Sequence, residues 1–79
     1  MRLRVYGRGD CQLCDDMLAA LRGLQAQLAF GFDLFDVDAD PALEARFGER
    51  VPVLVDASGE EICHYWLDED ALRKRLALK

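Results

Sequence analysis

Residues 8–16 read Arg8-Gly9-Asp10-Cys11-Gln12-Leu13-Cys14-Asp15-Asp16. Cysteines at C-x-x-C spacing can do two kinds of chemistry. As a redox dithiol, the second sulfur reaches back and attacks a mixed disulfide formed on the first. As part of a metal site, Cys11 and Cys14 would need further donors, and Cys63 and His64 are the candidates for a zinc set. The plain alternative is a pair of inert thiols at a helix start. A C-x-x-C on a strand-to-helix turn within a β-α-β pattern favours the redox reading over both.

The local charge qualifies that chemistry. Cys11 falls just before or at the first turn of a helix, where free backbone N–H groups stabilise a thiolate. Such helix-end effects are worth about 0.3–1 kcal/mol, up to ~2 when partly buried, which is under about 1.5 pKa units. Asp10, Asp15 and Asp16 act the other way, because like charge disfavours a thiolate. Arg8 is the only base close in sequence that can compensate. A modest lowering of the Cys11 pKa is expected, and not a strong oxidant.

The elements that must position these cysteines follow from periodicity. Leu3 to Tyr6 reads as a short strand ended by Gly7 and Gly9. Cys14, Met17, Leu18, Leu21, Leu24 and Leu28 recur at three- and four-residue steps, one apolar face of a helix. Phe32 to Val37 reads as a second strand, with Phe32, Leu34, Phe35 and Val37 mostly buried. Asp40 as N-cap, Pro41 at the first helical position and Gly48 at the stop frame a second helix. Val51 to Val55 reads as a third strand with Pro52 near its start, where a strand tolerates it. The turn residues Asp56-Ala57-Ser58-Gly59 send a fourth strand, about Glu61 to Tyr65, back antiparallel. A last helix runs from Asp68, with acids in its first turn and bases later, as the helix dipole prefers. The order β-α-β-α-β-β-α gives an α/β fold, with a four-stranded mixed sheet and helices on both faces.

Bulk properties exclude several classes. The 79 residues form one domain, 1–79, of globular composition, with 52% apolar and 32% charged residues. The net charge is −5 and the bases are scattered, which disfavours nucleic acid as a partner. No apolar run approaches the ~20 residues that span a membrane. Met1 to Tyr6 enters a strand pattern directly, without a signal-peptide apolar region, so a cytoplasmic protein is expected. An odd count of three cysteines fits no disulfide-stapled scaffold. In that compartment the tripeptide Arg8-Gly9-Asp10 is no adhesion signal. Asp36, Asp38 and Asp40 match the start of a calcium loop, but Pro41 stands where its glycine must be, so a strand end and a helix cap explain them better. Cys63 reads as a small buried hydrophobe, His64 as an ordinary strand residue and Trp66 as a packing or lid residue. Nothing suggests an obligate dimer, and a monomer is the default.

The sequence resembles the thioredoxin superfamily and, within it, the small bacterial glutaredoxin-like proteins. The resemblance covers nearly the whole chain. It is carried by Tyr6-Gly7-Arg8 before Cys11-Gln12-Leu13-Cys14, by Phe35-Asp36-Val37-Asp38-Ala39-Asp40-Pro41, by Phe47-Gly48-Glu49-Arg50-Val51-Pro52-Val53-Leu54, and by the helix start at Leu67-Asp68. It implies a thiol–disulfide oxidoreductase with Cys11 as nucleophile and Cys14 as resolving thiol. It implies a cis-proline at Pro52, facing the dithiol, with the Val51 backbone pairing with a bound thiol peptide. Arg8 matches a position that contacts glutathione's carboxylate, and Asp68 falls near the helix cap that holds the γ-glutamyl end. No tightly bound cofactor is implied. Glutathione would be a thiol co-substrate, and disulfide-bearing proteins or glutathione the partners. Two departures stand out. No proline lies between the cysteines, and Cys63-His64-Tyr65-Trp66 replaces the Gly-Gly pair before the last helix, so Tyr65 and Trp66 are expected to close the glutathione groove. Two rival readings remain, a metal-binding module through Cys11, Cys14 and Cys63, and a non-catalytic interaction domain of the same fold.

Overall fold

In the computed structural model, which describes residues 1–77, β1 (Arg2–Gly7), α1 (Gln12–Leu24), β2 (Gly31–Asp36), a 3-10 turn (Val37–Ala39), α2 (Pro41–Phe47), β3 (Val53–Val55), β4 (Glu61–His64) and α3 (Glu69–Ala77) follow in that order. The sheet order is β2-β1-β3-β4. β1 and β2 run parallel, with α1 as their crossover, and β3 and β4 are antiparallel additions.

Two-residue alternation divides the core into two layers. Leu3 and Val5 of β1 and Leu54 of β3 point to one face, where Met17, Leu21 and Leu24 of α1 and Leu72 of α3 cover them. Tyr6, Val53 and Val55 point to the other face and meet Phe47 of α2 and Val37. There the Tyr6 ring stacks on Phe47 at 4.3 Å and on Phe35 at 5.4 Å. β3 is buried along its whole length, so its Val-Leu-Val reads as a continuous apolar run.

The second strand departs from expectation. β2 starts at Gly31 and ends at Asp36, and Val37 leaves the sheet for the 3-10 turn, where it is fully buried. Leu34 and Phe35 were expected inside, yet they are 54% and 39% exposed. β2 is the outer strand of the sheet, and neither helix layer reaches far enough to roof it. The third strand is also shorter than the apolar run, because Val51 and Pro52 form the loop leading into it. Helix caps follow the sequence more closely. Asp40 accepts from Ala42 N at 2.9 Å at the start of α2, and Asp68 accepts from Ala71 N at 3.0 Å at the start of α3.

The β3–β4 turn is held by one buried carboxylate. Asp56 accepts from the Ser58 hydroxyl at 2.6 Å, Ser58 N at 2.9 Å and Glu60 N at 3.0 Å, and it pairs with Arg75 of α3. Gly59 completes the turn at φ 90, a conformation that favours glycine. The Ser58 hydroxyl leads the interactions that lower the Asp56 pKa from 3.8 to about 2, with Glu60 N and Arg75 adding to it. A lowered carboxylate pKa stabilises the fold above the unfolded-state pKa and ceases to do so as pH falls through the folded-state value. Asp56→Asn is therefore expected to be less stable than the parent at pH 7, and the gap should close between about pH 4 and pH 2. Urea midpoints measured across that range check it.

Candidate functional site

The register of the sheet brings the site together at one end. Gly7, the last residue of β1, is level with Asp36 of β2. One step earlier Tyr6 is level with Val53 of β3, and Val53 with His64 of β4. The segments leaving these points are the cysteine loop, the 3-10 turn, the Val51-Pro52 loop and Tyr65-Trp66. Four loops from four strands thus emerge on the same edge, beside the N-terminus of α1.

Cys11 is itself the N-cap of α1. Its backbone is extended (φ −148, ψ 105), and its Sγ accepts from Cys14 N at 3.1 Å. A sulfur in this place takes a helix-terminal N–H that would otherwise need another partner, and the same bond favours the thiolate. Cys14, one turn on, is 2% exposed, whereas Cys11 is half-buried. The two sulfurs are at disulfide distance, with Cα atoms 5.2 Å apart. Gly7 lies against the pair: a Cβ at that position would approach Cys14 Sγ to 3.1 Å, so the strand end admits no side chain without displacing the sulfur.

The Val51–Pro52 peptide bond is cis. Pro52 is buried, and its carbonyl accepts from Tyr65 N at 2.9 Å. Tyr65 has φ 68, in the left-handed region where a non-glycine residue is strained by about 1–3 kcal/mol. Its hydroxyl donates to Glu49 O at 3.3 Å, and its ring meets His64 edge-on at 4.7 Å. Trp66 follows, 67% exposed. The sequence contains no sign of this backbone conformation, since tyrosine is not a residue that marks it.

The other expected residues are distributed as follows. Arg8 does not offer a free cation to the sulfurs. Its Nη2 donates to Glu44 Oε2 at 2.6 Å and to Gly48 O at 3.0 Å, and its Nη1 is 3.5 Å from Asp38 Oδ1. This clamp joins the cysteine loop to α2, and the partners lie 30 to 40 residues away in sequence, beyond the reach of local patterns. Asp68 is exposed and caps α3 through one carboxylate oxygen, Oδ1. Cys63 is half-buried on β4 against the α1–α3 layer of the core, and burial pushes its thiol pKa up. His64 Nδ1 is 2.7 Å from Glu61 Oε2, and Glu61 also pairs with Arg50. The donor set Cys11, Cys14, Cys63 and His64 is not brought together. Among the described residues, no three His, Cys, Asp or Glu side chains converge as a metal site.

A cavity of about 180 Å³ flanks the disulfide on the β2 side, lined in part by Gly7, Cys14, Leu18 and Leu34, with Asp15 and Asp36 among its walls. Local sequence did not mark it, because it depends on β2 being an unroofed edge. Among the described residues, no helix is long and apolar enough to cross a membrane.

Three comparisons bear on the arrangement. The model of the family described as Glutaredoxin-like domain (DUF836) matches residues 2–77. The Mycobacterium tuberculosis protein Rv0508 is 34% identical over 83 residues, covering 96% of this chain and 82% of its own. Among solved structures, protein Ne2328 from Nitrosomonas europaea superposes with a TM-score of 0.85 at 39% identity, over 94% of this chain and 88% of that one. Thioredoxin 1 from Thermosipho africanus superposes with a TM-score of 0.66 over 99% of this chain and 97% of that one. At 16% identity this last match speaks for the thioredoxin fold alone.

Proposed function

This chain belongs to the glutaredoxin-like domain family, and from that premise we propose that it is a thiol–disulfide oxidoreductase working through Cys11 and Cys14. The observation that carries the reading is the asymmetry of the pair: a half-buried Cys11 whose sulfur is held by a helix-terminal N–H, at bonding distance from the sulfur of a buried Cys14. In the reduced protein the Cys11 thiolate attacks one sulfur of a substrate disulfide. A Cys11–substrate bond forms, the substrate S–S bond breaks, and the departing thiolate takes a proton from water. Cys14 then loses its proton and attacks Cys11 Sγ, forming the internal disulfide and releasing the second substrate thiol. The substrate gains two electrons and the protein loses two. An external thiol returns the protein to the dithiol by the reverse exchange.

Val51 and Pro52, on the loop entering β3 at the same end of the sheet, are proposed as the substrate-facing wall, with the Val51 main chain pairing with an extended substrate segment. Protein disulfides suit this site better than glutathione does. Arg8 is already engaged by Asp38 and Glu44, and the place of the family's glycine pair is filled by Tyr65 and Trp66. The cycle belongs in a reducing compartment, the cytoplasm, where dithiols persist. Neither a bound cofactor nor a second copy of the chain is needed for it.

The nucleophile assignment is tested by timed alkylation of the fully reduced protein at neutral pH. Cys11 is expected to be modified first, Cys14 later because it is buried, and Cys63 later because its thiol is held protonated. Equal rates at all three, or Cys63 leading, would remove the assignment.

A further inference from the structure

The charges around the disulfide do not suit a negatively charged partner. Asp10 precedes Cys11, Asp15 follows Cys14, and Asp36 shares the flanking cavity with Cys14 and Asp15. All three carboxylates are exposed, and among the described residues none of them forms an ion pair. Among the described residues, the one cation lining the cavity is Arg8, which is turned to Asp38, Glu44 and the Gly48 carbonyl.

Carboxylates so placed oppose the thiolate that the reaction needs. A partner that brings its own positive charge reverses that effect. It pairs with the carboxylates, and it stabilises both the Cys11 thiolate and the thiolate that departs. At the end of β4, the exposed Trp66 shares a shallow depression with Asp68 and Glu61. An aromatic face beside a carboxylate is a favourable seat for a lysine or arginine side chain.

We propose that the dithiol, read as the exchange centre described above, acts on cationic partners: protein segments whose disulfide-forming cysteine is flanked by lysine or arginine. Asp10, Asp15 and Asp36 are the specificity-determining residues, and Trp66 with Asp68 receives the more distant cation. Glutathione disulfide, which is anionic, is the disfavoured class.

The test uses three short peptides, each a disulfide-linked dimer through a single cysteine. One has lysine on both sides of the cysteine, one has glutamate and one has serine. Each is reduced by the fully reduced protein at about 10 mM and about 1 M ionic strength. Rates are divided by those of a neutral small dithiol on the same peptide, which removes differences in leaving-group pKa. At low salt the normalised rate for the lysine peptide is expected to exceed that for the glutamate peptide by about tenfold or more. At about 1 M salt, where the screening length is ~3 Å, the ratio should fall to within about twofold. Asp15→Asn and Asp36→Asn should each lower the low-salt ratio. A ratio near one, or one favouring glutamate, with the serine peptide turning over normally, overturns the cationic preference and leaves the exchange reading in place. Failure to reduce any of the three peptides overturns the exchange reading itself, and the preference with it.

Discussion

Replacing Cys11 with serine is expected to lower the rate of disulfide exchange by at least about a thousandfold, because the hydroxyl is not ionised at neutral pH and cannot serve as the attacking group. Replacing Cys14 with serine should have a different signature. The first attack remains, so Cys11 acquires the substrate as a stable mixed disulfide, and turnover stops there for want of a resolving sulfur. Cys63→Ser should leave both steps within about twofold of the parent, since that thiol is raised in pKa and sits on β4 against the core. The measurement is intact mass after a short reaction with a disulfide substrate, together with the turnover rate. Equal loss in the Cys11→Ser and Cys63→Ser variants would place the chemistry elsewhere.

The largest effect on stability is expected at Leu54. It is fully buried in β3, one of the two inner strands, and packs with residues of α1 and α3, with Leu3 and Val5 beside it on the sheet. Truncation to alanine removes buried methyl groups and leaves a cavity that neighbouring strands cannot fill, at a cost of about 3–5 kcal/mol. A domain of this length has a total stability of roughly 4–12 kcal/mol, so Leu54→Ala should be largely or partly unfolded at room temperature. Leu34→Ala is the control. The same chemical change is made in the same sheet, but at a side chain 54% exposed on the edge strand, and it should shift stability by less than about 1 kcal/mol. Urea denaturation of the two variants distinguishes them. A similar cost at both positions would mean that the layered core is wrongly drawn.

Much of this fold could be read in the sequence because its signals are local. The three-and-four spacing from Cys14 to Leu28, the Asp40-Pro41 cap and the Asp56 to Gly59 turn each specify their own element, and each element forms, although α1 stops at Leu24 and leaves Leu28 in the turns beyond it. The C-x-x-C is equally local, and its placement at the head of α1 follows from the strand and helix on either side. What sequence did not reveal depends on distant parts of the chain. Alternation in β2 assigns Leu34 and Phe35 to opposite faces, but it cannot say how far the covering helices extend. Arg8 looked like a cation available to the sulfurs, and its real partners belong to the 3-10 turn and α2. Tyr65 adopts a glycine-like φ because Pro52 O and Glu49 O fix its N–H and hydroxyl, a constraint supplied by another loop. The carboxylates at the rim are legible in the sequence, while the absence of an ion pair to any of them among the described residues depends on where the folded chain puts its cations.

The account's central claim is that Cys11 and Cys14 form a reversible redox couple. The most direct measurement equilibrates the protein in glutathione buffers of set ratio, quenches with an alkylating agent and weighs the intact chain. The account predicts two masses that interconvert at a defined midpoint, the dithiol and the Cys11–Cys14 disulfide, with Cys63 alkylated in both. That midpoint ranks the protein as net reductant or oxidant, where ~30 mV corresponds to about 1.4 kcal/mol. Thiols that stay reduced across the whole series, or a disulfide that no buffer opens, would contradict the claim.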